Sequence, residues 1–548
     1  MVWQFKLLGC GAVVRPNIRT HPSPPFPEPP EITILTEEFE VFESYLPCVG
    51  MIAGRHLPSH SFSQSALYGK FPVEYGPTQI NLQCVYNSLR KACVRNVVLP
   101  ERIQIEIRTI IDKMYGPYMI GTVPLSFVEA LERIDDSKSP GHPMYYACHQ
   151  KKQVLENPKM YKYLKECIIR WLKDPTYIPI WTGTLKDELT HLSKIRSDST
   201  RMFFNGPFWF LMCQHILYGN MQDRLKGAMG QHPSTLGISV PGPALPNLLF
   251  EYQSLYNEYI EEGYGTFQQE MTPYVTMFDL DHTNFDLSVS LSIVQAASEV
   301  KESYLPMIGV VDIDGEQVEF DYIACHRACV SQIYCGFVAV GGMVYNIMGN
   351  KSGQLLTGDD NSIHEPATIY PGVRPYLDPQ DPVKTFLSGK HSANGDDALK
   401  LMIFYKRVDV KTLFANCALY GTYLSTVSGF TENALDMMYL SHKVKRAYIP
   451  FLKQDMWIAQ PRENKLLSAL SFKKRKDDAL TVARFYAVCN GLFGYESRYK
   501  ALQIVDKWVS ENPRHKLMDT DWKAAISQRL SDRQLATIHF GIDYNNTS

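Results

Sequence analysis

An α+β architecture is predicted by three observations. A β-prone run at Tyr274 to Phe278 leads into an acidic turn and then a helical stretch, Ser288 to Val300. Two hairpin signals follow it: Gly341-Gly342 separates Phe337 to Val340 from Met343 to Met348, and Asn394-Gly395 precedes the β-prone segment Ala398 to Tyr405. Helical periodicity dominates the chain before and after this strand-rich middle.

In chain order, Met1 to Val14 lack the charged start, long apolar stretch and small-residue cleavage site of a secretory leader, and none is expected. Residues 21–31, HPSPPFPEPPE, read as an extended, polyproline-like strap between an N-terminal segment and the body. Asn157 followed by Pro158 marks a helix start, and apolar residues keep helical spacing to Leu172. A second helix is predicted over about Pro207 to Leu225, so the first half is expected to be mostly helical. A Gly-rich loop follows the second strand of the Gly341-Gly342 hairpin. Asp478 to Leu492 and Asp521 to Leu535 return to helical patterning, and no internal repeat is present.

At 548 residues and 45% hydrophobic, the chain can bury a large core and is expected to form more than one lobe. A formal net charge of −2 excludes a globally basic nucleic-acid binder, so any RNA surface is local. No apolar run reaches the about 20 residues of a membrane span. The most apolar stretch, Pro207 to Leu217, is too short and contains Gln214 and His215. Twelve cysteines without a CxxC pair indicate neither a disulfide framework nor a zinc ribbon. Cys325, His326, Cys329 and Cys335 resemble a zinc cluster in composition, but Cys325 and Cys329, four residues apart, fit one buried helix face better.

Chemistry concentrates in the acidic turns. Nucleotidyl transfer by two cations about 3.5–4 Å apart needs carboxylates that converge from separate strands. Asp281-His-Thr-Asn-Phe-Asp286 offers one such group after a strand, and Asn394-Gly395-Asp396-Asp397 offers another on a hairpin. Magnesium, a hard cation that keeps several waters, suits sites built from a few Asp oxygens. The GDD tripeptide occurs twice. Gly358-Asp359-Asp360 follows Gly353 with no β-prone hairpin around it, so its aspartates are assigned to a helix and rejected as ligands.

In this order the acidic turn, Gly-rich loop and hairpin GDD resemble the palm motifs of viral RNA-dependent RNA polymerases. Asp281 and Asp286 match the first motif, an Asp, four residues, then an Asp. Ser352-Gly353, Thr357 and Asn361 match the second. Gly349-Asn-Lys-Ser-Gly-Gln354 and Tyr439-Leu-Ser-His-Lys443 look most like potyvirus and astrovirus polymerases, within the picornavirus-like supergroup. Lys186-Asp187-Glu188-Leu189 with Lys194 and Arg201 is similar to that group's finger motif, and Ser137-Lys-Ser139-Pro-Gly141-His-Pro143 to its template-entry loop. Together these motifs span residues 137–443.

The resemblance implies a closed right hand. Fingers would cover 1–230 and 312–349, a palm with an antiparallel sheet 231–311 and 350–445, and a helical thumb 446–548, with the fingers reaching the thumb. Asp281 and Asp396 would bind metal directly, with Asp397 beside them in a weaker or indirect metal-binding role, and all three would be catalytic. Asp279, on the same side of the strand, either assists them or is an exposed carboxylate. Asp286 and Asn361, aided by Ser352 and Thr357, would recognise the ribose 2′-hydroxyl, a group that both donates and accepts. Gly349 and Gly353 would let the loop approach RNA closely, and a helix cap is the plainer reading of Ser352. Lys186, Lys194, Arg196 and Arg201 would meet the triphosphate, Arg201 foremost. Only the family spacing favours that over a solvated face, because Asp187, Glu188 and Asp198 interrupt the run. Ser137, Ser139, Gly141 and Pro143 would line template entry, and Ser441, His442 and Lys443 would grip the product or primer. Lys443, Lys445, Arg446, Lys453 and Lys473 to Lys476, interleaved with Tyr448, Phe451, Trp457 and Phe472, suit a product-RNA track. The run Lys473 to Lys476 reads equally well as a solvated turn.

Two departures stand out. Many family members place a Lys that protonates pyrophosphate about eight residues beyond a Tyr-Gly like Tyr420-Gly421. Ser428 and Gly429 stand there instead, so either the alignment shifts or another donor such as His442 or solvent acts. Relatives also often begin with a processed Gly buried near the active site, where this chain has Met1-Val2.

The cofactor implied is a pair of Mg2+ ions, replaceable by Mn2+. The partners implied are RNA template, nascent RNA, nucleoside triphosphates, a protein primer and other viral replication proteins. The setting implied is replication of a positive-strand RNA genome in the host cytoplasm, at membrane-associated complexes. Rival readings are an RNA-binding scaffold with vestigial motifs and a reverse transcriptase, which typically carries a bulky aromatic residue where Asp286 stands.

Overall fold

The computed structural model describes residues 40–43, 48–51, 62–91, 95–341, 343–473 and 478–542. The opening residues 1–14, the expected strap over 21–31 and the basic residues 474–476 lie outside them. Helix α1 (Pro158–Lys173) starts as predicted. The Asn157 side chain accepts from the backbone N–H groups of Lys159 (3.1 Å) and Met160 (3.3 Å), and Pro158 occupies a first-turn position that has no helical partner for an N–H. Strands β1 (Ile180–Leu185) and β2 (Met202–Asn205) pair antiparallel, with Thr182 opposite Asn205. Helix α2 (Phe208–Gly227) is buried on nearly every side, including Gln214 and His215. The first half is therefore less helical than its periodicity predicts. The runs 180–185 and 202–205 are too short to show alternation; they pair with each other, and the first also pairs with residues 337–339 far along the chain.

Strand β3 (Tyr274–His282) is followed by helix α3 (Leu291–Glu302), whose first turn is capped by Ser290. A hairpin of β4 (Ile308–Ile313) and β5 (Glu316–Asp321) precedes β6 (Phe337–Val340) and β7 (Met343–Asn346). Val340 lies opposite Met343, as the Gly-Gly signal predicts. Residues 48–51, β7, β6, β1 and β2 form a five-stranded sheet in that order. Helix α4 (Thr357–Val373) holds Asp359 and Asp360 in its first turn, so the earlier GDD is helical.

The second five-stranded sheet runs β8 (Lys390–Asn394), β9 (Asp397–Phe404), β3 and β10 (Leu424–Ser425), with Gly265–Thr266 also paired to β3. Asn394 lies opposite Asp397, which makes Gly395-Asp396 the turn, one residue later than the Asn-Gly pair suggests. Gly395 has φ +68°, the conformation a Gly-first hairpin turn requires. Alternation divides the two central strands. Val275 and Met277 of β3, with Leu399, Leu401 and Ile403 of β9, pack on the helix over Ala244–Glu261, whereas Phe278, Leu280, Ala398 and Met402 join the main core. Asp279, Asp281 and Asp397 continue the first of these faces.

Strands β11 (Met438–Tyr439), β12 (His442–Ile449) and β13 (Gln454–Pro461) form a third sheet, and helices follow it. Divisions drawn at 311/312 and 445/446 would cut β4 and β12. Leu467, Val482, Phe485, Val505 and Trp522 build a separate C-terminal core that also takes in Leu67 and Phe71. Beside it Ser63–Gln64 pair with Phe472–Lys473, and the Ser65 N–H donates to the Ser471 carbonyl (2.9 Å). The early part of the chain thus closes onto the late part. Among the described residues no helix is long and apolar enough to cross a membrane.

Candidate active site

Register brings the predicted carboxylates together. Asp281 lies directly opposite Asp397 across β3 and β9, and Asp396 occupies the hairpin tip beside them. Their charges oppose one another. Burial, then Asp396, Asp281 and Asp279, push the Asp397 carboxyl up to about 7. Asp281 reaches the cleft surface, yet loss of water and the Asp396 charge raise it too. No three His, Cys, Asp or Glu side chains among the described residues are gathered as a ready metal cluster. The donor set nevertheless fits a divalent cation: hard carboxylate oxygens, mutually destabilised, from two strands and a turn.

Cations face this acidic group. Lys194 and Arg462 oppose the rise at Asp281, and Arg201 and Lys186 oppose it at Asp286. Arg201 is forked onto Glu188, with Nε to Oε1 at 2.8 Å and Nη2 to Oε2 at 2.9 Å, and Lys186 Nζ also lies 3.3 Å from Glu188. Arg196 is exposed at the end of the short 192–196 helix and forms no ion pair among the described residues. Arg462 was not foreseen, because nothing in the local sequence ties the start of a distant helix to the acidic turns.

The Gly-rich loop closes on protein. The Asn361 Nδ2 donates to Asp286 Oδ1 (2.6 Å). Ser352 does not cap α4; its Oγ accepts from the Phe204 N–H of β2 (3.3 Å). The Thr357 hydroxyl donates to the Gln354 carbonyl (3.0 Å). A Cβ on Gly353 would stand 1.8 Å from the Phe204 carbonyl oxygen, and one on Gly349 (φ +99°) 2.6 Å from the Asp286 carbonyl oxygen. These glycines are therefore demanded by close approach to β2 and to the acidic turn, rather than by RNA alone.

Asp279 corrects an expectation. It is 3% exposed and accepts from the Thr426 hydroxyl (2.7 Å), the Val427 N–H (3.2 Å), the Ser428 N–H (2.8 Å), the Ser428 hydroxyl (2.5 Å) and the Met438 N–H (3.3 Å). Five donors exhaust the lone pairs of one carboxylate. It is neither an exposed carboxylate nor a free metal ligand, but an anchor for the segment that departs from the family pattern.

The remaining predicted residues make contacts of their own. Ser137 donates to Asp135, Ser139 Oγ accepts from the Gly141 N–H (3.3 Å), and Pro143 closes a loop joined to α2 by the Phe208 N–H to Pro140 carbonyl bond (2.8 Å). Leu440 and Ser441, both at positive φ, make the turn between β11 and β12, and Lys443 follows His442 on β12. The His442 Nδ1 lies 2.6 Å from the Leu440 carbonyl oxygen. Cys325, His326 and Cys329 are buried, with His326 held by Tyr218 and Ser298 at 2.9 Å each, so they form a packed helix face.

Beneath the sheet, Lys400 of β9 pairs with Glu365 of α4, and His282 of β3 lies 3.4 Å from the same carboxylate, all three buried. This trio joins the two acidic strands to the helix that carries Asn361. The sequence offered no signal for it.

The Viral RNA-dependent RNA polymerase profile matches residues 63–507. Genome polyproteins are similar at low identity: that of Beet mosaic virus is 20% identical over 488 residues, covering 85% of this chain and 14% of the polyprotein. That of Ryegrass mosaic virus is 22% identical over 304 residues, covering 53% and 8%. The chain thus spans only a small part of the relatives it matches. The Sicinivirus 3Dpol RNA dependent RNA polymerase shares the fold at a TM-score of 0.65 and 15% identity, covering 88% of this chain and 99% of that one. With the profile matched over most of its length, the chain belongs to the viral RNA-dependent RNA polymerase family.

Proposed function

We propose that this chain copies RNA into RNA during replication of a positive-strand RNA virus genome in the infected cell. The observation that carries the reading is the cross-strand pairing of Asp281 with Asp397, with Asp396 at the adjacent turn, Lys194 and Arg462 acting on Asp281, and Lys186 and Arg201 acting on Asp286. Asp281 and Asp396 would hold two divalent cations, Mg2+ or in its place Mn2+, with Asp397 in support. Bound there, such ions activate the primer hydroxyl and neutralise the leaving pyrophosphate.

The chain's own groups do the rest. Arg201 leaves Glu188 for the incoming triphosphate, with Lys186 and Lys194 adding charge. Asp286 and Asn361 hold the ribose. Ser352 and Thr357 keep the Gly-rich loop in place beneath them. The loop with Ser137, Ser139, Gly141 and Pro143 guides template, and the turn at Ser441, His442 and Lys443 supports the primer end. Ser428 is committed to Asp279, and burial lowers the His442 imidazole. The proton for pyrophosphate would come from solvent or from a donor such as His442.

In this reading the fingers are 1–230 and 312–349, the palm 231–311 and 350–445, and the thumb 446–548, each boundary adjusted to the nearest strand end. A protein primer, other replication proteins and membrane-associated complexes complete the proposed setting. The test is extension of a primed RNA by purified protein with Mg2+. Asp396→Ala is expected to abolish incorporation while keeping the native melting temperature, and undiminished synthesis by that variant would refute the assignment.

A further inference from the structure

The earlier GDD is not a metal site, yet its second aspartate is tied to the ribose pair by an unbroken chain of hydrogen bonds. Asp360 is buried and paired with the buried Lys301, and it accepts from the Tyr334 hydroxyl (3.1 Å) and from Gln354 Nε2 (2.9 Å). Gln354 Nε2 also donates to Asn350 Oδ1 (3.2 Å), while its Oε1 accepts from the Leu356 N–H (2.7 Å). Asn350 Nδ2 donates to Asn361 Oδ1 (2.8 Å), and Asn361 Nδ2 donates to Asp286 Oδ1 (2.6 Å). The Asn350 backbone N–H donates to the Asp286 carbonyl (2.5 Å), closing the loop onto the acidic turn.

The directions of these bonds follow from charge. An ionised carboxylate can only accept, so Gln354 must present its amide nitrogen to Asp360. Burial alone would raise the Asp360 carboxyl, but Lys301 beside it carries it below its ordinary value and keeps it ionised. A flipped Gln354 would set an oxygen against both Asp360 and Asn350 Oδ1 and would lose the Leu356 bond. With Gln354 fixed, Asn350 must turn its oxygen towards it and its nitrogen towards Asn361. Asn361 is then obliged to turn its nitrogen to Asp286. Such a buried network holds its arrangement only while every member is satisfied.

We propose that Asp360 and Gln354, acting through Asn350, are positioning residues that set ribose specificity by fixing the orientation of the Asn361 amide. This rests on the proposed role of Asp286 and Asn361. In the fixed orientation Asp286 keeps one oxygen free to accept the 2′-hydroxyl proton, and the second Asn361 N–H is available to the hydroxyl oxygen. A deoxyribose satisfies neither. If the amide could flip, an acceptor would face Asp286, and the pair would lose the arrangement that rewards a hydroxyl.

The test compares kcat/KM for a nucleoside triphosphate with that for its 2′-deoxy analogue on one primed RNA. Gln354→Met removes the relay but leaves the Lys301–Asp360 pair, and Asp360→Asn combined with Lys301→Met removes the anchor without stranding a cation. Each is expected to lower the ribose-to-deoxyribose ratio about tenfold, the scale of one buried hydrogen bond, as Asn361→Ala should do directly. A merely structural role would slow both substrates alike and leave the ratio unmoved, and that result in Gln354→Met would overturn the proposal even if the double variant fails to fold. If Asn361→Ala also keeps the native ratio, the ribose reading itself falls and the relay with it. If the native protein extends no primer, the polymerase reading fails first.

Discussion

Replacing Lys400 by Met would strand the Glu365 carboxylate beneath the acidic strands. Both side chains are 0% exposed, and after the change Glu365 keeps only His282, at 3.4 Å, as a possible cationic partner. Breaking a buried pair from one side costs about 3–5 kcal/mol, because a charge is left without its counterion. The sign with pH can be worked out. In the native protein burial tends to raise the Glu365 carboxyl, but Lys400 and His282 outweigh it and hold the group below its ordinary 4.5. Its stabilisation is therefore complete above pH 4.5 and lost as pH falls through the lower folded value. Without Lys400, burial dominates and the folded carboxyl rises above the unfolded one. The penalty is then largest at neutral pH and shrinks on acidification. At Lys400 burial outweighs the pull of Glu365 and lowers the ammonium, whereas at Glu365 the attraction wins, so across the pair the two effects roughly cancel. Lys400→Met with Glu365→Leu is accordingly expected within about 1 kcal/mol of native. Urea unfolding at neutral and mildly acid pH, read as midpoint shift times a common m value, supplies the measurement. A single variant within about 1 kcal/mol of native, or a double variant as unstable as the single, would refute the reasoning.

Arg201→Ala removes a forked donor, and kcat/KM for nucleotide should fall about 100-fold, mainly through KM, with RNA affinity nearly unchanged. Filter binding and steady-state kinetics together check the split. Gly353→Ala pushes a methyl to 1.8 Å from the Phe204 carbonyl, so the loop must move; extension should drop at least tenfold while the melting temperature changes by only a few degrees. His326 and His364 are buried and lowered to about 4. Groups held neutral in the fold lose their contribution as pH drops from about 6.5 towards 4, each by on the order of 2–3 kcal/mol. Chemical unfolding across that range should show uptake of more than one proton, and a flat profile would count against it.

Much of this was legible in the sequence because the signals are local. Asn157-Pro158 starts α1, Gly341-Gly342 separates β6 from β7, and strand context told the hairpin GDD from the helical one. What stayed hidden depends on contacts between distant segments. The β1 run pairs with β2 some twenty residues on and with β6 more than a hundred residues away, neither of which local periodicity shows, and Arg462 reaches the acidic cluster only through the fold. Asp279 was half-visible: alternation gave its side of β3, but only the returning turn at 426–428 shows that its oxygens are occupied.

The pairing of Ser63–Gln64 with Phe472–Lys473 has a topological result. The clasp joins segments 405 residues apart along the chain, as the Ser65 hydroxyl to Leu470 carbonyl bond beside it shows, so most of the described chain is closed into one loop whose formation costs the entropy of a long closure.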